Sequence, residues 1–163
     1  MKFLVSLYRF GHWCYRKRLP FLAKLLRWTI RFLYSADIPS ETNIGANVHF
    51  SHMGLGVVIH ERAVIGDSVY IGHHVTIGGR SGYKELPVIK NGVMIGAGAQ
   101  ILGPVVIGVG VSIGANSVVL DSVPDYCVVT GIPAKIISEG KYQEKIYGKS
   151  AAEYYNEKMG GKR

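Results

Sequence analysis

An all-β core wound as a parallel β-helix is the fold class this sequence predicts, on three observations. Large aliphatic residues recur at every sixth position: Ile59, Ile65, Ile71 and Ile77 in one run, then Ile89, Ile95, Ile101, Ile107, Ile113 and Val119 in another, with Ile44 and Phe50 opening the series. A glycine follows many of them, as in Ile44-Gly45, Ile65-Gly66, Ile71-Gly72, Ile95-Gly96 and Ile113-Gly114. The fourth residue after the aliphatic position is often small or β-branched, as at Val48, Val93, Val105 and Ser117.

The period decides between elements. A helix places apolar residues at i, i+3, i+4 and i+7, which a six-residue repeat does not. Six is a multiple of two, so each unit can be one short strand and one corner. Glycine after the aliphatic position suits both the turn geometry and a close approach of backbones. Three units per coil stack their aliphatic residues inside a triangular prism, and each strand pairs with the one a coil above. Twelve marked positions then make about four coils. Two interruptions stand out. Phe50 to Ile59 is three residues longer than one unit, and Gly79 to Pro87 keeps the phase without reading as a repeat. Both are predicted to be loops leaving the prism, where function tends to reside.

The flanks differ from the repeat. Residues 1–36 are read as a basic amphipathic helical segment, residues 37–137 as the β-helix domain, and residues 138–163 as a tail with a short helix. All eight cations before the first acid, Asp37, fall in the first segment, and beyond it eleven Lys/Arg balance eleven Asp/Glu. The net charge of +8 therefore belongs to that segment alone. Two helices are expected there, the second opening at Pro20. Lys24, Arg27 and Arg31 share one face, and Phe21, Leu22, Leu25, Leu26, Trp28, Ile30, Phe32 and Leu33 cover the rest. That pattern fits an interfacial membrane helix as well as it fits packing on the end of the prism. Nucleic-acid binding is not expected, since the aromatics lie within the apolar face. No run reaches the ~20 apolar residues of a spanning helix, and no secretory leader is expected, because Arg9 and Arg16-Lys17-Arg18 interrupt the pattern one needs. Cys14 and Cys127 form no metal or redox spacing, so a reducing cytoplasm is expected.

Among the six histidines, His12 is read as a surface residue, and His52 draws notice because it sits in the first interruption. Asp37 lies fifteen residues earlier, where the repeat begins. With about eighteen residues per coil, the two fall near one edge of the prism. A carboxylate beside an imidazole fixes its tautomer and raises its basicity, which a general base for a hydroxyl requires.

Asp37-Ile-Pro-Ser-Glu-Thr-Asn-Ile44-Gly45 and Ser51-His52-Met-Gly-Leu-Gly-Val-Val58-Ile59 resemble the opening of the serine O-acetyltransferase group of left-handed β-helix acyltransferases. Val75-Thr76-Ile77-Gly78-Gly79, Gly92-Val-Met-Ile-Gly-Ala-Gly98-Ala99, Gly114-Ala-Asn-Ser-Val-Val119 and Gly131-Ile-Pro-Ala-Lys135 continue the resemblance, over about residues 37–137. It implies a left-handed coil, His52 as general base and Asp37 as the residue that orients it. It also implies a homotrimer with acetyl-CoA in a groove between two subunits, where Gly78, Gly79, Ala97 and Ala115 line the pantetheine arm and Lys135 lies near the nucleotide end. A backbone N–H near Gly79 would stabilise the oxyanion. Members that use serine carry Asp-His where this chain has Ser51-His52, and Arg-His-Pro where it has Glu85-Leu86-Pro87. A serine carboxylate would meet Glu85 in place of a cation.

The sequence is therefore read as an acetyl-CoA-dependent O-acetyltransferase without a metal, with Ser51 and Glu85 facing the acceptor. The acceptor is expected to be a sugar hydroxyl of surface-polysaccharide biosynthesis, free or lipid-linked. L-serine is the alternative, and a non-catalytic scaffold the second. A metal-dependent hydratase of the γ-carbonic-anhydrase type needs a His-x4-His element, and no pair of histidines has that spacing. The expected location is cytoplasmic, with residues 1–36 on the inner face of the membrane if they do not pack on the prism.

Overall fold

The structure, a computed structural model, describes residues 2–140. The short helix expected in residues 138–163 lies beyond them. Two helices, α1 (Lys2–Arg16) and α2 (Pro20–Tyr34), precede a parallel β-solenoid of short strands in three sheets. The register follows the six-residue period. On the first face Ile44, Ile65, Ile89 and Ile107 stack in line. On the second face the ladder is Phe50, Ile71, Ile95, Ile113 and Val129. On the third it is Ile59, Ile77, Ile101 and Val119. These side chains are buried and form one continuous core. At ~1.5–3 kcal/mol for each large aliphatic removed from water, the ladders are the main source of stability.

The corners divide two tasks that the sequence pattern assigns to one glycine. The glycine after the aliphatic residue serves close approach. A Cβ on Gly72 would lie 2.6 Å from the Ala97 nitrogen, and one on Gly96 would lie 2.6 Å from the Ala115 nitrogen. The left-handed turn is made two residues later, at Asn47, Ser68, His74, Gly92, Gly98, Gly110 and Asn116, just before the small inward residue.

Both predicted loops leave the prism, at residues 51–56 and 79–87. The last coil ends in a hairpin, where Val128–Gly131 pairs antiparallel with Ala134–Ser138 through a cis Ile132–Pro133 bond. The repeat pattern breaks at that point, though it does not announce the hairpin.

The helices cover the open edge of the first coil. Leu4, Tyr8 and Ile30 join the solenoid core. Polar groups fix the docking. The Tyr8 hydroxyl donates to the Thr42 carbonyl, and Arg9 donates to the carbonyls of Ile44 and Gly45. Ser40 Oγ donates to the Ala23 carbonyl at 3.1 Å. His12 is half-buried with Nδ1 2.8 Å from the Ser40 carbonyl, so it is an anchoring residue and not the free surface group expected. Among the described residues no helix is long and apolar enough to cross a membrane.

Candidate functional site

The edge between the second and third faces collects Ser51, His52, Ala97 and Ala115 of the residues singled out above. At its base the chain leaves the strand His49–Phe50 and turns through Ser51–Gly54. His52 (φ 47°) and Met53 (φ 56°) both hold left-handed backbone there. Unlike the corner series, these two belong to no coil corner. Leu55 N–H donates to the His52 carbonyl at 3.3 Å, and the end of the loop is tied down where Gly56 N–H donates to the Ser35 carbonyl at 3.1 Å and His74 N–H to the Leu55 carbonyl at 2.8 Å. Ser51 is buried, and the His52 side chain is exposed.

Above this loop the same edge carries Gly72-His73-His74, then Gly96-Ala97-Gly98, then Gly114-Ala115-Asn116. Backbone bonds tie the rungs. Gly98 N–H donates to the His73 carbonyl at 2.9 Å, and Asn116 N–H donates to the Ala97 carbonyl at 2.8 Å. Parallel strands lie ~4.8 Å apart, so from the His52 rung to the Ala115 rung is ~14 Å of straight edge. Above Ala115 it reaches Gly131, whose N–H donates to Ser117 Oγ at 3.2 Å. Lys135 stands exposed on the terminal hairpin.

The ring that meets His52 is His73, edge to face, with centroids 4.8 Å apart and planes at 83°. His74 follows at 5.5 Å from His73. A signal for this contact exists in the sequence. The coil holding the first loop has three extra residues, and Phe50 pairs with Ile71, twenty-one positions on. The same offset carries His52 to His73, whereas eighteen per coil misses it.

Asp37 stacks beneath Val58 at the start of the third face. Its carboxylate accepts from Arg27 Nε at 2.8 Å and Arg27 Nη2 at 3.1 Å, and from Arg31 Nη1 at 2.8 Å. The expected orienting contact to His52 is therefore absent among the described residues. The physical reason lies in α2, which brings two guanidinium groups onto this face, where charge-assisted bonds engage both carboxylate oxygens. The hydrogen bond to Asp37 raises the pKa of Arg27.

Gly78, Gly79 and Glu85 belong to the next edge, between the third and first faces. Leu86 folds back over Gly79, and Glu85 is exposed. Asp37 and Gly78 share a cleft of about 380 Å³ with Arg27, Val58, His60 and Thr76. Of the remaining histidines, His49 stacks on Tyr70 at 5.1 Å, and burial pushes its pKa down. His60 Nδ1 accepts from the Arg62 N–H. Among the described residues no group of His, Cys, Asp or Glu is arranged to hold a metal ion.

Comparison with known proteins matches this geometry to a chemistry. Residues 87–121 match the family described as bacterial transferase hexapeptide, six repeats. The serine acetyltransferase of Synechococcus elongatus is 42% identical over 132 residues, which cover 80% of this chain and 54% of that protein. A serine acetyltransferase solved in complex with cysteine superposes with a TM-score of 0.81 at 36% identity, covering 94% of this chain and 58% of that one. One solved in complex with CoA gives a TM-score of 0.76 at 39% identity, covering 82% and 55%. The chain spans about half the length of the curated relatives it matches. The expected likeness to polysaccharide-modifying enzymes is corrected by these matches. It rested mainly on departures in the two loops, Ser51 in the first and Glu85-Leu86 in the second, whereas the similarity to serine acetyltransferases runs through the whole solenoid, so over its repeats and much of its N-terminal segment this chain is similar in sequence and fold to serine acetyltransferases.

Proposed function

We propose that this protein is an acetyl-CoA-dependent O-acetyltransferase whose acceptor is L-serine. What carries the reading is the single edge on which an exposed, conformationally fixed His52 stands at the foot of a track of small residues through Ala97 and Ala115. The track suits a narrow, extended thioester arm, because no large side chain interrupts it above His73. Lys135, at the top, offers a cation to the phosphorylated end.

His52 takes the proton of the acceptor hydroxyl as that oxygen adds to the thioester carbonyl. It returns the proton to the sulfur as the carbon–sulfur bond breaks, leaving an oxygen ester and free thiol. Backbone N–H groups near Gly79 serve the oxyanion. In one chain Gly79 lies an edge away from His52, so we infer a homotrimer in which the edge of one protomer faces the neighbouring edge of the next. An acceptor carboxylate entering the cleft would have to share Arg27 with Asp37, which already holds that guanidinium, and Glu85 on the second loop cannot fill the role of a cation. Ser51 shapes the loop from beneath His52.

The test is turnover of purified protein with acetyl-CoA and L-serine. Saturable acetylation of serine is expected, and His52→Ala should lower turnover by about 10²–10⁴ while CoA binding stays nearly intact. Asp37→Asn should lose less. Full turnover in His52→Ala would remove the assigned base. Acetylation of a sugar hydroxyl with none of serine would keep the chemistry and overturn the acceptor.

A further inference from the structure

We propose that the outer face of the α1–α2 hairpin is a docking surface for an anionic lipid bilayer, on which the protein lies without crossing it. Both helices have fifteen residues, too short to span a hydrocarbon core. Their inward faces are already satisfied by the solenoid through Leu4, Tyr8, Ala23 and Ile30, all buried. What remains outside is aromatic. Phe21, Leu25, Trp28 and Phe32 repeat at i, i+4, i+7 and i+11 along α2, with exposures of 82%, 51%, 60% and 89%. On α1, Phe10 and Trp13 are about half exposed and stack with centroids 5.8 Å apart. A water-soluble monomer seldom leaves so much contiguous apolar surface uncovered.

Charge selects the occupant. The first 36 residues hold eight Lys/Arg and no acid. The structure sorts these cations. Arg9 is committed to backbone carbonyls of the first coil, and Arg27 and Arg31 to Asp37. Arg16, Lys17, Arg18 and Lys24 are exposed beside the aromatic ridge, three of them grouped at the turn between the helices. A second copy of this face would press like charges together with no acid on either side. Anionic headgroups supply the opposite sign, while aromatic side chains suit the layer just beneath them.

The experiment uses the full chain with phosphatidylcholine vesicles, with and without phosphatidylserine. The chain has two tryptophans, and both lie on the proposed face, so intrinsic fluorescence reports on that face alone. Cosedimentation with the anionic vesicles only, reversed by high salt and accompanied by a blue shift of tryptophan emission, is the expected result. The double variant Phe21→Ser with Phe32→Ser removes two of the most exposed side chains, so its melting temperature should hold while vesicle affinity falls by about tenfold or more. Lys17→Glu with Lys24→Glu, which leaves every apolar residue in place, should weaken binding as well. Absence of binding to anionic vesicles at low salt overturns the proposal. So does binding that leaves tryptophan emission and both double variants unaffected, or self-association through this face without vesicle binding.

Discussion

His52 and Met53 hold left-handed backbone at about 1–2 kcal/mol each for side chains of their kind. The coil itself does not require this, since its own left-handed positions are the corner residues such as Ser68 and Asn116. Strain without a packing reason fits a residue whose direction matters. The edge-to-face contact with His73 then fixes the ring. Such a pair is worth about 0.5–1.5 kcal/mol. His73→Ala should therefore lower turnover by at most about tenfold, with the Michaelis constant for acetyl-CoA and the melting temperature nearly unchanged. A loss as deep as that of His52→Ala would mean that His73 itself moves the proton. At this scale the sequence was legible in part. His52 stood out because it interrupts a period. His73 did not, because its partner lies one lengthened coil away. Arg27 and Arg31 read as members of a basic stripe, and only the fold brings them to Asp37.

The helices and corners show which patterns carry geometry. Each glycine after an aliphatic residue was legible, yet what it does differs along the coil. Gly96→Ala would force a Cβ to within 2.6 Å of the Ala115 backbone nitrogen and push two coils apart. Gly78→Ala would meet only the Thr76 methyl at 3.8 Å. Thermal melts should show a loss of about 1–3 kcal/mol for the first and little change for the second. The docking of α1 was less legible, because amphipathicity names a face and not its partner. Leu25 and Leu33, which look like core residues in sequence, are exposed, whereas Tyr8 is buried. Burial raises the Tyr8 pKa from 10.0 to about 12, against the opposing pull of Arg9. The sign follows directly. Below pH 10 the phenol is neutral in both the folded and the unfolded chain and its contribution is complete. Between pH 10 and 12 the unfolded chain ionises first, so stability falls. Denaturant titrations should show that decline in the parent protein and a smaller one in Tyr8→Phe. At neutral pH the variant should also lose about 0.5–1.5 kcal/mol for the missing bond to the Thr42 carbonyl.

On the scale of the whole molecule, the distribution of site residues over two edges governs what one chain can do alone. His52, His73, Ala97 and Ala115 share one edge, while Gly79 and Glu85 sit across the third face on another. A rigid solenoid cannot fold one edge onto the other, so a site that needs both must be completed by a neighbour. In the proposed homotrimer each protomer would offer one edge to the next around a three-fold axis, giving three grooves per assembly. The expected mass in solution is about 54 kDa, three chains of 17.9 kDa. Mass alone does not show that sites are shared, but mixed assemblies do. His52→Ala removes the base from one edge, and Gly79→Phe blocks the other, so trimers of either variant alone should be inactive. Refolding them together in equal amounts leaves a groove intact wherever a protomer with His52 faces one with Gly79. Random assembly gives each of those conditions a chance of one half, so about a quarter of the parent activity should return. A mixture as inactive as its parents, with trimers verified, would place the whole site within a single chain.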